Sequence, residues 1–411
     1  MGQIKQSSKI EMNNLLVPLL ILVFFPFPSK YVGYSISLYI CDIVFIGYLL
    51  FIFVKKKYVV TINNTTRFFL VFLGLNCFGI LIALLKGNIS SLRPFSEVLR
   101  TFEWMIIYLF CINYFKKDIK SITKINSIVN KCVAILLLLL IPFITIELFD
   151  LSGKAIFRSL YEMNKSGNIY QNYNRIVGPF RNPNFLGIWM TIILLYVFTQ
   201  PYKWKTKILF SLECIGVIYF TGSRTAILIS LIMLGLVLLS QGILDFGKGV
   251  LKKVLGVVVI AAVAYFVVQK QIDLFYSVRL RLDLNELQNL GGRTSIWEEY
   301  SNIMKENLLL GNGIVKSDDL VLDNMYLLYL YYYGIFGLLL YFLFFIRNIF
   351  KSVGAYLRNR KNAMLLYAVV LQGIILVSGF TMQILDALQL SFWYWLILAY
   401  IDSSEENKMT S

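Results

Sequence analysis

The sequence predicts an all-α polytopic membrane protein, a single membrane domain over residues 1–411 with about twelve transmembrane helices. Three observations predict it. Of the 411 residues, 58% are hydrophobic and 15% charged, and the mean hydropathy is +0.69, far more apolar side chain than a soluble domain needs for its core. Several runs with few or no charges approach the ~20 residues that cross ~30 Å of hydrocarbon as helix. None of these runs has the alternating pattern of a membrane barrel strand. Twelve spans use ~240 positions, which leaves room for two long loops but not for a separate soluble domain.

In chain order the spans fall at 13–27, 33–54, 68–85, 96–115, 131–149, 184–200, 206–221, 225–241, 250–269, 325–346, 363–380 and 387–401. Pro18, Pro26 and Pro28 weaken the first. It follows Lys5 and Lys9 as a signal peptide would, but no small-residue cleavage site follows, so it reads as an uncleaved helix. Short loops determine orientation through their Lys and Arg content. An inner N-terminus collects Lys55, Lys56, Lys57, Lys116, Lys117, Lys203, Lys205, Lys207, Lys252, Lys253, Arg347, Lys351 and Arg358 on the cytoplasmic side. Both termini are then cytoplasmic, and the two long loops, 150–183 and 270–324, lie outside.

Composition narrows the chemistry. The chain has no histidine, which excludes a His base and a His-containing metal site. Cys41, Cys77, Cys111, Cys132 and Cys214 sit in apolar runs and read as packing residues rather than disulfides or a thiolate cage. No cofactor and no metal is expected. The net charge of +16 is split across the membrane with no aromatic-interleaved soluble patch, so the expected partner is the lipid bilayer and not nucleic acid. Basic residues on the inner side are mostly Lys, and those on the outer side mostly Arg. Guanidinium suits bidentate phosphate recognition, so the outer arginines point to an anionic ligand; the alternative for any one of them is snorkelling to the interface.

Four outer segments can carry that chemistry. The first long loop ends Arg175-Ile-Val-Gly-Pro-Phe-Arg181-Asn-Pro-Asn184, where Asn184 is expected to cap the next helix and aim its positive N-terminus, with two arginines, at one region. Thr221-Gly-Ser-Arg224 forms a tight turn with one arginine at the membrane surface. In Gly291-Gly-Arg293-Thr-Ser295-Ile-Trp-Glu298, Ser295 and Glu298 have capping-box spacing, and Ile296, Tyr300, Ile303 and Met304 make the stripe of an amphipathic interfacial helix. Arg293 is expected just before its start. Finally, Asp323-Asn324 stands at the mouth of the tenth span, where a carboxylate can take a proton from a sugar hydroxyl. Asp318 and Asp319 are two adjacent acids without further ligand spacing, and read as solvated. Glu97, Arg100 and Glu103 recur every three residues in the fourth span, so that Arg100 either pairs with the glutamates or lines a cavity. Asp42 and Glu213 are isolated acids within spans, the kind of group that relays protons in a transporter.

Taken together, Gly-Pro-Phe-Arg181-Asn-Pro-Asn-Phe-Leu-Gly, Thr-Gly-Ser-Arg224, Gly-Gly-Arg293-Thr-Ser-Ile-Trp with Leu-Leu-Gly-Asn-Gly downstream, and Asp323-Asn324-Met-Tyr-Leu resemble the O-antigen ligase/polymerase superfamily over residues 170–345. The resemblance implies a GT-C-type glycosyltransferase of the bacterial cytoplasmic membrane that uses undecaprenyl-diphosphate-linked oligosaccharide, with a flippase and a chain-length regulator as partners. Where the ligase branch has His-Asn, this chain has Asp323-Asn324, so it resembles the Wzy-type polymerase branch, which makes O-antigen or capsular polysaccharide. The site this implies has Arg293 and Asp323 as catalytic residues and Arg175, Arg181, Asn184, Arg224, Arg100 and Asn324 on the substrate. A lipid-linked oligosaccharide flippase or other transporter, an O-antigen ligase and a peptidoglycan-type polymerase are the alternatives.

Overall fold

A computed structural model describes residues 20, 31–33, 38–56, 58–60, 62–89, 91–117, 121–149, 175–178, 180, 182–244, 293–305, 307–316 and 322–409. The helices are α1 (Ile40–Lys55), α2 (Asn64–Leu85), α3 (Phe95–Lys117), α4 (Ser121–Leu148), α5 (Pro183–Thr199), α6 (Trp204–Thr221), α7 (Arg224–Leu244), α8 (Arg293–Lys305), α9 (Met325–Arg358), α10 (Ala363–Ser378) and α11 (Leu388–Met409). A 3-10 turn, Ile384–Asp386, precedes α11.

The chain is a helical membrane protein. Among the described residues, Asn64–Leu85, Asn126–Leu148 and Met325–Arg358 are long and apolar enough to cross a bilayer, and Pro183–Thr199, Arg224–Leu238 and Ala363–Ser378 are shorter apolar helices. The expected spans 13–27, of which only Leu20 is described, and 250–269 lie outside the described residues, as does most of the loop 150–183.

Two boundaries differ from expectation. The second span was expected from residue 33, but Tyr31–Gly33 pairs antiparallel with Leu38–Tyr39 and α1 starts only at Ile40. Aromatic and β-branched side chains beside a helix-weakening glycine favour a short ribbon over a helical turn. The tenth span was expected to stop near 346, whereas α9 runs for 34 residues through Arg347 and Lys351. The extra stretch, about three turns, is packed rather than solvated: Asn348, Ser352 and Ala355 are buried and Lys351 pairs with Asp402, so tertiary contacts carry the helix past the apolar run.

Helix α5 is buried almost all round and is flanked by α6, α7 and α10. Helix α3 packs against α1, α2 and α11, and α9 and α10 join the two groups. Large aromatic side chains fill the middle, with Trp189, Trp393, Trp395, Tyr196 and Tyr367 fully buried. Leu70, Val71, Leu81 and Leu84 on α2 and Leu138 on α4 face outward, which suits hydrocarbon and not water.

Polar contacts mark the two ends of the bundle. At one end, Asp402 accepts hydrogen bonds from Thr65 Oγ1 (2.7 Å), Tyr108 OH (2.5 Å) and Lys351 Nζ (2.6 Å), tying α2, α3, α9 and α11 together. Helices α5 and α10 run antiparallel, since Gln200, after the end of α5, reaches Met364 at the start of α10. The start of α5 therefore shares its end of the bundle with Gly379, whose carbonyl accepts from Met325 N (2.9 Å) at the mouth of α9. That second end collects the residues singled out for chemistry.

Candidate functional site

Asn182 caps α5, its side chain accepting from Asn184 N (2.8 Å), and Pro183 is the first helical residue. The expectation that Asn184 is the cap is therefore corrected. Proline lacks the N–H that a first-turn position leaves unused and has a helical φ already, so the helix starts before Pro183 rather than after it. Asn184 is released for another contact and accepts from Arg175 Nη2 (2.9 Å), while Arg175 Nε donates to Thr221 O (2.6 Å).

Gly222 makes the turn between α6 and α7 possible: at φ 59° it ends α6 left-handed, in a place where a Cβ would lie 3.3 Å from Arg175 Nε. Arg224 is the first residue of α7. Helices α5 and α7 touch near their starts, since a Cβ on Gly187 would lie 2.8 Å from Ala226 Cβ. The starts of α5 and α7 thus lie side by side, and Arg175 is braced between Asn184 at the start of α5 and the last carbonyl of α6, at Thr221; helix N-termini and a guanidinium favour an anion such as phosphate. Glu147 Oε2 holds the approach strand, accepting from Val177 N and Gly178 N at 2.9 Å each.

At the same end, the segment 307–316 crosses a break in α9. Gly334 has φ 65° and ψ −165°, interrupting the helix. The groups freed by the break find partners in the loop: Asn312 N donates to Tyr331 O (2.7 Å), Gly313 N to Tyr332 O (3.2 Å) and Ile335 N to Leu308 O (2.9 Å). Ile314 N then bonds Gly79 O on α2 (3.0 Å). Irregular backbone inside a membrane protein is tolerated where its polar groups are met in this way. The Leu-Leu-Gly-Asn-Gly motif is thus a backbone crossing.

The loop leads to Lys316, whose Nζ lies 2.5 Å from Glu97 Oε1 and 3.0 Å from Ser96 Oγ. Arg100 pairs instead with Glu103 (2.7 Å) and Asp42 (3.5 Å). Of the two alternatives for Arg100, pairing and lining a cavity, the structure shows pairing, with Glu103 and Asp42, while Glu97 is taken by Lys316. Asp386 joins the cluster electrostatically, and burial, reinforced by Glu97, lifts its carboxyl to about 6 against the pull of Lys316 and Arg100. Asn76 donates to Thr101 Oγ1 (2.7 Å) and accepts from the Tyr333 hydroxyl, closing the cluster towards the bundle core. No group of three or more His, Cys, Asp or Glu among the described residues could hold a metal ion.

Asp323 is exposed at this end, and Asn324 is buried, its side chain capping α9 by accepting from Tyr326 N and Leu327 N. Gln383 Nε2 donates to Leu322 O (3.2 Å), so Asp323 is anchored beside the turn that bears Asp386. Among the described residues helix α8 begins at Arg293, so Arg293 and Ser295 lie in its first turn rather than before it. Met304 is buried and Tyr300 meets Tyr331 edge-on at 5.7 Å, as the expected stripe requires, but Ile303 is exposed. Arg181, Asp318 and Asp319 lie outside the described residues, as does the side chain of Arg293.

Arg175 thus meets Asn184, with Arg224 three residues beyond Thr221 at the start of α7, and Arg100 belongs to another cluster. Sequence reasoning passed over Lys316, Asp386 and Glu147. A basic residue seven positions before Asp323 and an acid between two spans were the available signals. No protein-family model matches the chain, and no curated protein matches it in sequence.

Proposed function

We propose that this protein is a Wzy-type polymerase that joins undecaprenyl-diphosphate-linked repeat units on the outer face of the bacterial cytoplasmic membrane, through a bundle of about twelve spans with GT-C-like organisation and both termini inside. The observation that supports the reading is Arg175, held by Asn184 at the start of α5 and by the Thr221 carbonyl that ends α6, beside the adjoining starts of α5 and α7 and at the end that also bears Asp323. A lipid diphosphate has the charge and geometry such a junction favours.

In the reaction, an acceptor sugar hydroxyl attacks the anomeric carbon of the donor glycan. A new C–O bond forms, the bond to the diphosphate breaks with its electron pair leaving on phosphate, and the hydroxyl proton goes to Asp323. Arg175, Arg181, Arg224 and Arg293 stabilise the leaving diphosphate, and each such donor is worth ~10² to 10³ in rate. Asn324 fixes the start of α9 beside the base.

The test is polymer assembly from purified lipid-linked repeat units. Arg181→Ala and Arg293→Ala are expected to stop chain growth while the protein remains folded and inserted, with single units accumulating on lipid. Full-length polymer from both variants overturns the reading. Maleimide labelling from outside at Asn88→Cys, and not at Lys361→Cys, tests the orientation.

A second reading, a lipid-linked oligosaccharide transporter, is favoured by the buried ion cluster around Asp42 and Arg100. Translocation of repeat units in sealed vesicles without any joining would select it.

A further inference from the structure

The segment 307–316 lies well inside the ends of the helices it touches. Gly334, where it crosses α9, is nine residues after Met325, and Gly79, whose carbonyl accepts from Ile314 N, is six residues before Leu85 at the end of α2. At 1.5 Å per residue these points are ~14 and ~9 Å from the respective helix ends. Both helices are long and apolar enough to cross a bilayer, so the crossing sits at hydrocarbon depth. Leu308, Leu309 and Leu310, just before the crossing, are 46, 60 and 55% exposed. Ile335 N donates to Leu308 O, which brings the leucines beside Phe336; Phe336 and Leu339, three residues apart on α9, are exposed as well. A continuous apolar patch at that depth faces acyl chains.

The patch has a polar end. Lys86, the residue after α2, is exposed, and its Nζ donates to Gly311 O and to Asn312 Oδ1 at 3.3 Å each. Among the described residues these neutral oxygens are its only hydrogen-bond partners and no carboxylate pairs with it. Asn307 Nδ2 donates to the same Asn312 oxygen (2.9 Å), and two donors on one oxygen fix which way the amide faces. The Asn312 Nδ2 is then left buried with no hydrogen-bond partner, in a residue only 6% exposed. An ammonium that no acid offsets and an N–H donor that nothing meets both call for an anionic acceptor.

We propose that this patch is a binding site for one anionic phospholipid, whose acyl chain lies along Leu308–Leu310, Phe336 and Leu339 and whose phosphate meets Lys86 and Asn312. A single ammonium matches the single charge of a phosphodiester, whereas a diphosphate favours guanidinium forks of the kind Arg175 offers elsewhere. The bound lipid holds the segment 307–316 in place across the break in α9. The inference does not depend on the proposed reaction.

The experiment uses the whole protein in phosphatidylcholine nanodiscs doped with phosphatidylglycerol that carries a photoreactive diazirine in its acyl chain. Phosphatidylcholine with the same group is the reference, so the wild-type comparison needs no variant. Peptide mass spectrometry should find phosphatidylglycerol on residues 308–310 and 336–339 at several times the reference yield. Lys86→Gln is expected to cut that yield about fivefold, and Lys86→Arg, which keeps the charge, to retain it. Hydrogen exchange at residues 311–314 should be slower with phosphatidylglycerol present, and the difference should vanish in Lys86→Gln. Equal labelling by the two lipids, or an excess that Lys86→Gln leaves intact, overturns the site and makes the patch ordinary lipid-facing surface. Displacement of the label by undecaprenyl diphosphate at concentrations below that of phosphatidylglycerol overturns it in favour of the carrier lipid. Labelling as expected with exchange that ignores the lipid overturns the hold on the segment.

Discussion

Gly334 in α9 and Leu309 in the segment 307–316 approach so closely that a Cβ on the glycine would lie 2.2 Å from the Leu309 carbonyl oxygen. Gly311 faces the same break, with a Cβ position 2.6 Å from Gly334 N, and Gly313 sits 2.6 Å from Gly79 O by the same measure. Three segments cross here at backbone distance. Gly334→Ala must therefore both strain a left-handed φ and push the strands apart, costs of ~1–2 and ~1–3 kcal/mol. Thermal unfolding in detergent is expected to fall by several degrees, whereas Gly216→Ala, with nothing within 4 Å of its Cβ, should be neutral or slightly stabilising. Equal melting of the two variants would mean that the crossing is not tight.

Arg175 spans two acceptors in different directions, the Thr221 carbonyl and the Asn184 side chain. A lysine ammonium is a compact point charge and cannot reproduce that fork. Arg175→Lys is expected to lose ~10²-fold in polymer synthesis, with Asn184→Ala showing a smaller loss. The measure is initial rate on lipid-linked units. An Arg175→Lys enzyme at wild-type rate would reduce this arginine to a charge without directional role.

If Asp323 is the base of the proposed reaction, its assistance is worth ~10² to 10⁴ in rate. Asp323→Asn preserves size but cannot take the proton, so purified enzyme should bind repeat units as the wild type does and join them far more slowly. Asp318→Asn and Asp319→Asn should be close to silent. Near-normal turnover in Asp323→Asn removes the base assignment and leaves the arginine electrostatics.

Asp402 is 3% exposed and receives three donors. Asp402→Ala leaves the Lys351 ammonium without its carboxylate partner, the kind of loss that costs roughly 3–5 kcal/mol when buried, discounted here because the lysine is 17% exposed. Size-exclusion profiles after mild heating should show early aggregation, and Lys351→Met combined with Asp402→Leu should recover part of the loss. No recovery would assign the damage to Tyr108 and Thr65 instead.

How much of this was legible beforehand follows from what each feature depends on. Apolar runs are local, so α2, α3, α5, α6 and α10 lie within a few residues of the expected spans. The grouping of Arg175 with Asn184 was legible because only nine positions separate them. Lys316 and Ser96 are 220 residues apart, and nothing in either neighbourhood names the other. The break in α9 was equally hidden: Tyr-Tyr-Tyr-Gly334-Ile-Phe-Gly reads as an unbroken apolar helix, and only the loop that crosses it makes Gly334 a discontinuity. Asn184 misled because a cap signal was present one turn position too late, Asn182 having the same chemistry.

The Asp402 junction also imposes an order of events during synthesis. Thr65 precedes Asp402 by 337 residues. At ~5–20 residues per second on the ribosome, the threonine emerges roughly 17 to 67 s, and Tyr108, 294 residues upstream, roughly 15 to 59 s, before the carboxylate that completes their bonding. Until then α2 and α3 hold together through Asn63, which donates to Tyr108 OH (2.6 Å), while the hydroxyl protons of Thr65 and Tyr108 await the Asp402 carboxylate, and the nascent chain must be retained near the translocon, or shielded by a chaperone, for that interval. Ribosome stalling anywhere before α11 would release an intermediate marked by those open polar groups, which is the feature membrane quality control is equipped to detect.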